Sequence, residues 1–349
     1  MRVCVGMSGG VDSSVVAYLL KEQGYDVVGL TFRNWPQDCM SRAEDKCCGP
    51  QAVTDARMVA HSIGIPHYVV DEIETFQRDV IDYFVAEYQQ GRTPNPCIVC
   101  NEKVKFGSLL RKAEELGAER IATGHYARIE ANGGYRLRKG LDERKDQSYF
   151  LFSLRPDQLA RALMPLGGLS KDDTRAIAAR LGLKTKDKVE SQEICFVPDK
   201  DYGRFLKEGA RVPDAPGQIV TRDGAVLGRH AGIQYYTIGQ REGLHLGGQP
   251  KPLYVVELDA AANRVVVGPA EELLRTEFEI ANCTWHLAEL PAELTVKIRY
   301  NHKGCPAIVA VRDGGRARVT LRQPQRAITP GQAAVFYAGD WVVGGGWIV

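Results

Sequence analysis

The 349-residue sequence has no apolar run near the ~18 residues that a membrane-spanning helix needs, so a membrane protein is not expected. It also lacks a charged-then-apolar leader. The first ten residues, Met-Arg-Val-Cys-Val-Gly-Met-Ser-Gly-Gly, read as a short apolar strand entering a glycine turn, and secretion is not expected. No internal repeat and no low-complexity tract is seen. The nine cysteines (Cys4, Cys39, Cys47, Cys48, Cys97, Cys100, Cys195, Cys283, Cys305) are odd in number and widely spread, which argues against a fully paired extracellular framework. A reducing cytoplasm fits better. A strong net charge is absent too, at +2, yet the charge is segregated: residues 1–90 carry −6, residues 91–210 carry +6 and residues 211–349 carry +2. Within the last part, Thr295–Arg326 holds eight bases (Lys297, Arg299, Lys303, Arg312, Arg316, Arg318, Arg322, Arg326) against one acid, Asp313. That pattern suits a polyanionic partner or, equally, a solvated strand face.

At roughly 150 residues per domain the length implies two or three units. Up to about residue 200 short β-branched runs alternate with helical stretches: strand Arg2–Gly6, helix Ser13–Gln23, strand Val27–Phe32, helix Gln51–Ile63, strand His67–Val70, helix Phe106–Leu116 and strand Arg120–Thr123. This order predicts an α/β fold, a Rossmann-like parallel sheet covered on both faces. From about residue 210 short apolar runs recur every 8–12 residues between turns such as Arg222-Asp223-Gly224 and Asp313-Gly314-Gly315, and the grammar is β. The expected domains are 1–208 (catalytic), 209–277 (small, central, β-rich) and 278–349 (β-barrel).

The strongest motif is Ser8-Gly9-Gly10-Val11-Asp12-Ser13-Ser14 between the first strand and the first helix. Its glycines let backbone approach a ligand, and the helix N-terminus favours an anion. The loop lacks the Gly-Lys-Ser/Thr ending of Walker-type loops, so γ-phosphoryl transfer is not the obvious chemistry. A second segment, Gly91-Arg92-Thr93-Pro94-Asn95-Pro96-Cys97-Ile98-Val99-Cys100-Asn101, is stiffened by two prolines, and its Cys-x-x-Cys pair suits metal ligands, a dithiol, or a nucleophile with its neighbour. A third, Ser191-Gln192-Glu193-Ile194-Cys195-Phe196, follows the basic stretch Lys184–Lys188. Cys195 is there either an activated thiolate or a buried inert thiol.

The first loop resembles the PP-loop of the ATP pyrophosphatase superfamily, which holds a leaving pyrophosphate while adenylate passes to an oxygen of the substrate. Together with Gly124-His125-Tyr126, Lys145-Asp146-Gln147-Ser148-Tyr149-Phe150-Leu151, Ile194-Cys195-Phe196 and Gly239-Gln240-Arg241 with Gly243-Leu244, these segments are similar from end to end to the bacterial tRNA-specific 2-thiouridylases. The resemblance implies ATP-dependent replacement of the 2-oxygen of a wobble uridine by sulfur. It implies an ATP cradle of Gly6, Met7, Ser8, Gly9, Gly10, Val11, Asp12 and Ser13 with Phe32 and Gly124, Asp12 orienting Mg²⁺. It further implies a catalytic persulfide on Cys195, and Cys100 either releasing the sulfur through a Cys100–Cys195 disulfide or helping to expel it. Asn95, Pro96 and Cys97 would lie beside the extruded base. His125, Lys145, Asp146, Gln147, Arg299, Tyr300 and Gln332 would contact the anticodon stem-loop of the tRNA, and a cysteine desulfurase or sulfur-relay protein would supply sulfur.

One departure stands out. The well-known form of the family carries an aspartate where this chain has Cys97, so a general acid or base is missing there. Instead Cys97, Cys100 and Cys195 make a possible three-thiolate set resembling the one that holds a [4Fe–4S] cluster in related thiolation enzymes, against a redox dithiol or an inert Cys97. Cys39, Cys47 and Cys48 read as a mobile loop, Cys4 as core, and Cys283 and Cys305 as packing. Trp285, Trp341 and Trp347, with Tyr300 and Phe336, could stack on bases, but in a barrel of this size they are expected to fill the core. The rival functions are a PP-loop ligase that adenylates a small metabolite, which needs no thiols, and a silent RNA-binding or sulfur-carrier protein.

Overall fold

The computed structural model describes residues 1–34, 50–131, 133–183, 194–197, 199, 201–248 and 251–349, which fall into two compact units. The first comprises 1–80, 97–200 and 340–342, and the second 81–96, 201–339 and 343–349. No helix among the described residues is long and apolar enough to cross a membrane.

The first unit is built on β1 (Arg2–Gly6), β2 (Asp26–Arg33), β3 (His67–Asp71), β4 (Arg120–Ala122) and β7 (Ala162–Leu163), in the order β3-β2-β1-β4-β7 with every pairing parallel. Val3, Cys4 and Val5 are buried on both faces of β1, as the unbroken apolar run predicts for a covered parallel strand. Helix α1 (Val11–Glu22) sends Val11, Val15, Val16 and Leu20 inward. It stops because Tyr25 N donates to Leu20 O at 3.1 Å and Gly24 N to Lys21 O at 2.9 Å, the paired bonds of a Schellman closure. Helix α2 (Pro50–Ile63) packs Ala56, Val59 and Ala60 into the same core. The chain winds from β1 through β2 to β3 on one side of the sheet, then returns to the other side of β1 as β4. The carboxyl ends of β1 and β4 therefore flank the switch point, where α/β folds bind ligands.

Two features depart from the expected elements. The helix predicted at 106–116 begins earlier, as a π-helix over Cys100–Ser108, and turns into an α-helix only at Leu109–Glu115. The π spacing leaves carbonyls without their usual partners, and buried Gln158 donates its Nε2 to Phe106 O at 2.8 Å. An antiparallel hairpin of β5 (Ala127–Ala131) and β6 (Tyr135–Lys139) follows β4, and Arg138 of β6 pairs with Trp341.

The second unit contains a four-stranded sheet of β8 (Gly217–Thr221), β9 (Val226–His230), β10 (Tyr254–Asp259) and β11 (Arg264–Gly268) over a core of Ile219, Ile233, Val255, Val265 and Val267. It also contains six antiparallel strands: β12 (Leu274–Trp285), β13 (Leu294–Lys297), β14 (Cys305–Arg312), β15 (Arg316–Arg326), β16 (Ala333–Ala338) and β17 (Trp341–Ile348). Their order is β12-β15-β14-β13-β16-β17, and β12 pairs with β17 to close the barrel. On β15 the alternation is strict, with Ala317, Val319 and Leu321 inward and Arg316, Arg318 and Arg322 outward. Phe336 is fully buried and fills the core as expected, with Trp285 half-buried against it; Trp341, beneath the Arg138 guanidinium, and Trp347, beside Tyr83, are half-buried rather than core. Cys4 and Cys305 are buried, and burial pushes the Cys4 thiol up to about 12 and the Cys283 thiol up to about 11. Cys39, Cys47 and Cys48 lie outside the described residues.

Candidate active site

The loop from Met7 to Gly10 leaves the end of β1 and enters α1. Gly9 has φ +66°, and a Cβ there would stand 2.3 Å from the Ala52 carbonyl oxygen, so conformation and space both demand glycine. Gly10 is the N-cap and offers no side chain to the first amides of α1. The serine hydroxyls are turned onto the loop itself: Ser8 N donates to Ser13 Oγ at 3.1 Å, and Ser14 Oγ donates to Gly10 O at 2.8 Å. The result is a bare-backbone cradle with side-chain-uncapped amides at the positive end of a twelve-residue helix, which suits an anion. Gly124, after β4, closes one side. A Cβ there would lie 2.9 Å from Asp12 Cβ and 3.0 Å from Ser13 N.

The start of the loop is fixed from behind. Met7 N donates to Leu30 O at 2.8 Å, and buried Thr31 donates its hydroxyl to Met7 O at 2.7 Å. That hydroxyl has one proton, so the 2.8 Å contact with His67 Nε2 makes the imidazole the donor. Nδ1 of His67 is then a buried acceptor with no partner among the described residues, and burial followed by the charge of Arg57 holds this histidine below its ordinary pKa.

The geometry brings in one residue that the sequence did not point to. Lys171 opens the helix Lys171–Arg180, whose start is set by a capping box between Ser170 and Asp173. Its Nζ lies 2.7 and 2.9 Å from the two carboxylate oxygens of Asp12, and the Tyr126 hydroxyl donates to Asp12 Oδ1 at 2.9 Å. The Lys171 side chain is 5% exposed and that of Asp12 30%. This arrangement counts against Asp12 as a direct Mg²⁺ ligand, because a second cation at the same oxygens would meet the ammonium. The residues present fit a triphosphate better than a protein-held metal.

The stretch 145–151 supports this cluster from below. Gln147 Oε1 accepts from Tyr126 N at 3.0 Å, which holds the ring that reaches Asp12. Asp146 is buried, and its carboxylate accepts from Gly140 N, Ser148 N and Ser148 Oγ at 2.9–3.1 Å. His125 is also buried, 2.7 Å from Thr123 Oγ1 through Nδ1 and beside Phe106. Burial, then the Lys105 charge, holds it well below its ordinary pKa, so it is a neutral ring. Lys145 and Phe32 are half-buried.

Cys97 lies in the short helix Pro96–Val99, and Cys100 begins the π-helix; both are half-buried. Asn101, next to Cys100, donates to Phe150 O at 3.1 Å and so ties the cysteine segment to the stretch 145–151. Cys195 is half-buried at a turn whose neighbour Phe196 packs edge-on against Phe76. Lys184–Lys188 and Ser191–Glu193 lie outside the described residues. Among the described residues, which include Cys97, Cys100 and Cys195, no three His, Cys, Asp or Glu side chains are grouped to hold a metal ion. The expected three-thiolate cluster site is not assembled, and no chemistry is derived from it.

In the second unit, Gln332 Nε2 donates to the carbonyls of Thr93 and Pro94 at 3.0 and 3.3 Å, so Gln332 and the approach to Asn95 are held together. Arg299 is exposed and Tyr300 half-buried on the connection from β13 to β14. The basic strip is less uniform than its sequence. Arg312, Arg316 and Arg318 converge on Glu279 at 3.1–3.4 Å, and Arg322 pairs with Glu293 at 2.7 Å; both glutamates lie outside the counted segment. The hydrogen bond from Arg318 leads the effects that hold the Glu279 carboxyl below its ordinary range.

Residues 1–199 match the family model described as tRNA methyl transferase HUP domain, 203–269 the tRNA methyl transferase PRC-barrel domain, and 275–348 the Aminomethyltransferase beta-barrel domain. Among curated relatives, the chain is 53% identical to a tRNA-specific 2-thiouridylase MnmA of Geobacter metallireducens, covering 99% of this chain and 96% of the relative. Proteins of the same name from Heliobacterium modesticaldum and Clostridium acetobutylicum are 51% and 50% identical, each over 99% of this chain and over 92% and 98% of their own.

Proposed function

Because the chain belongs to the tRNA-specific 2-thiouridylase family, we propose that it is an ATP-dependent sulfurtransferase that makes 2-thiouridine at the wobble position of tRNA. The observation that carries this reading is the bare cradle at the switch point, with Lys171 and Asp12 beside it. ATP lies with its phosphates on the amides of residues 9–13, and Lys171 offsets the charge that gathers as pyrophosphate leaves. The uracil 2-oxygen attacks the α-phosphorus. A P–O bond forms to the base, the α–β bond breaks, and the 2-oxygen becomes part of a good leaving group.

Sulfur arrives as a persulfide on Cys195, loaded by a cytoplasmic cysteine desulfurase or relay protein. The terminal sulfur attacks carbon 2 and AMP departs with the former 2-oxygen. Cys100 thiolate then attacks the Cys195 sulfur, which releases the thiolated base and leaves a Cys100–Cys195 disulfide for an external dithiol to reduce. Asn95, Pro96 and Cys97 receive the extruded base, while Arg299, Tyr300 and Gln332 contact the RNA. The half-buried state of Cys100 and Cys195 supports this assignment.

The test combines cognate tRNA, ATP and a persulfide donor, with pyrophosphate release and nucleoside mass spectrometry as readouts. Cys195→Ser is expected to keep pyrophosphate release and lose 2-thiouridine. Wild-type protein that forms neither product rejects the reading. Iron and acid-labile sulfide bound to anaerobically purified, active protein would replace the persulfide route by a cluster-bound hydrosulfide.

A further inference from the structure

The two ends of the barrel strand β15 differ in charge balance. At its first residues Arg316 and Arg318, with Arg312 of β14, share Glu279. Its last residue, Arg326, stands roughly 30 Å away along the strand at about 3.3 Å per residue. At that end the antiparallel pairing of β13, β14 and β15 gathers Lys297, Arg299, Tyr300, His302, Lys303 and Arg326 on one rim. Among the described residues, Arg299, Lys303 and Arg326 have no carboxylate partner.

The rim is built rather than loose. The Arg326 guanidinium lies 4.5 Å from the centroid of the Tyr254 ring on β10, and Arg299 Nη1 donates to Arg326 O at 3.4 Å. Lys297 Nζ lies 5.6 Å from the Tyr300 centroid, and His302 Nε2 meets Gln325 Oε1 at 2.9 Å. A guanidinium with one face on a ring keeps its edge N–H groups for a ligand and has little rotamer freedom left to lose on binding. Three cations gathered without an acid repel one another until an anion joins them.

We propose that Arg326 on its Tyr254 platform, with Lys303 and Arg299, is an RNA phosphate-binding site, and that the end of the barrel where Arg312, Arg316 and Arg318 are engaged by Glu279 takes no part in RNA binding. This rests on the reading that the chain acts on tRNA. It adds Arg326 and Lys303 to the RNA-contacting set, with Tyr254 as the residue that positions Arg326, and confines the contact to one rim.

The test measures the dissociation constant of full-length protein and cognate tRNA over a series of KCl concentrations, with thermal melting to confirm folding. Arg326→Gln is expected to weaken binding about five- to tenfold at low salt and to flatten the log–log salt slope by about one phosphate contact. Tyr254→Phe keeps the platform and should bind as wild type, whereas Tyr254→Leu should bind less tightly. Arg316→Gln should change nothing. An Arg326→Gln variant with wild-type affinity and slope overturns the site, as does an Arg316→Gln variant that is equally impaired. If wild-type protein binds tRNA no better than heparin-blocked protein does, the reading of the chain as a tRNA enzyme fails first.

Discussion

Replacing Lys171 by methionine removes the ammonium beside Asp12 and keeps an unbranched stem of similar size. In the wild type both Asp12 oxygens contact Lys171 Nζ at 2.7 and 2.9 Å, and the lysine side chain is 5% exposed. Removing one partner of a buried pair costs about 3–5 kcal/mol. Asp12 is 30% exposed and keeps the Tyr126 hydroxyl, so water recovers part of that loss and about 2–3 kcal/mol remains. For a domain of this size the melting temperature should fall by roughly 4–10 °C. The double variant Lys171→Met/Asp12→Asn should melt at least as high as the single one, because no charge is then left unpaired. Pyrophosphate release by Lys171→Met should drop more than about tenfold at temperatures where the protein is folded, since the lost charge acts on the departing phosphate. A variant that melts with the wild type and releases pyrophosphate at its rate would refute both the pair and its role.

Gly124→Ala places a methyl 2.9 Å from Asp12 Cβ, and it should raise the KM for ATP about tenfold or more through displacement of the first turn of α1; an unchanged ATP titration would reject the close approach. Stability should decline as pH falls below 6.5, because buried His125 resists protonation in the fold, with His67 and His230 shifted in the same direction, while the unfolded chain takes up protons near pH 6.5. The stabilising contribution is present above that pH and lost as pH falls, at up to about 1.4 kcal/mol per pH unit for each histidine, so His125→Gln should flatten a denaturant-derived profile. Cys100→Ser should trap sulfur on the base as a mixed disulfide to Cys195, visible by non-reducing gel shift of labelled tRNA, and normal turnover would remove Cys100 from the release step.

The glycine loop with its flanking strand and helix was legible because its determinants are local. A β-branched strand, two glycines and a helix with its own stop signal lie within 24 residues, and the strand and helix bounds read from them fall within two residues of those observed. Lys171 was not legible, since it lies 159 residues from Asp12. Its helix start is marked by the Ser170–Asp173 capping box, but a cap says where a helix begins and not what it reaches. The π-helix at Cys100–Ser108 has no residue pattern of its own, so the apolar periodicity suggested only the α-helical part after it. The ion pairs within the basic strip were not legible for the same reason as Lys171: Glu279 and Glu293 come from other segments, and only the fold brings them to the arginines.

Two of the matched family models are described by methyl transfer, and the chemistry of the first unit separates that reaction from thiolation. Methyl transfer from a sulfonium donor releases a neutral thioether, so it needs no pyrophosphate cradle and no persulfide. Here glycine at residue 9 is demanded by a 2.3 Å approach to the Ala52 carbonyl, and a buried lysine sits against the first turn of α1. The close pass at residue 9 leads into a helix start whose amides carry no side-chain cap, which suits a strongly negative group. A methyl donor carries a positive sulfur, which an amide-rich helix N-terminus would repel. S-adenosylmethionine should therefore neither raise the melting temperature nor compete with ATP, whereas pyrophosphate should do both. The reverse pattern would make sulfur transfer untenable.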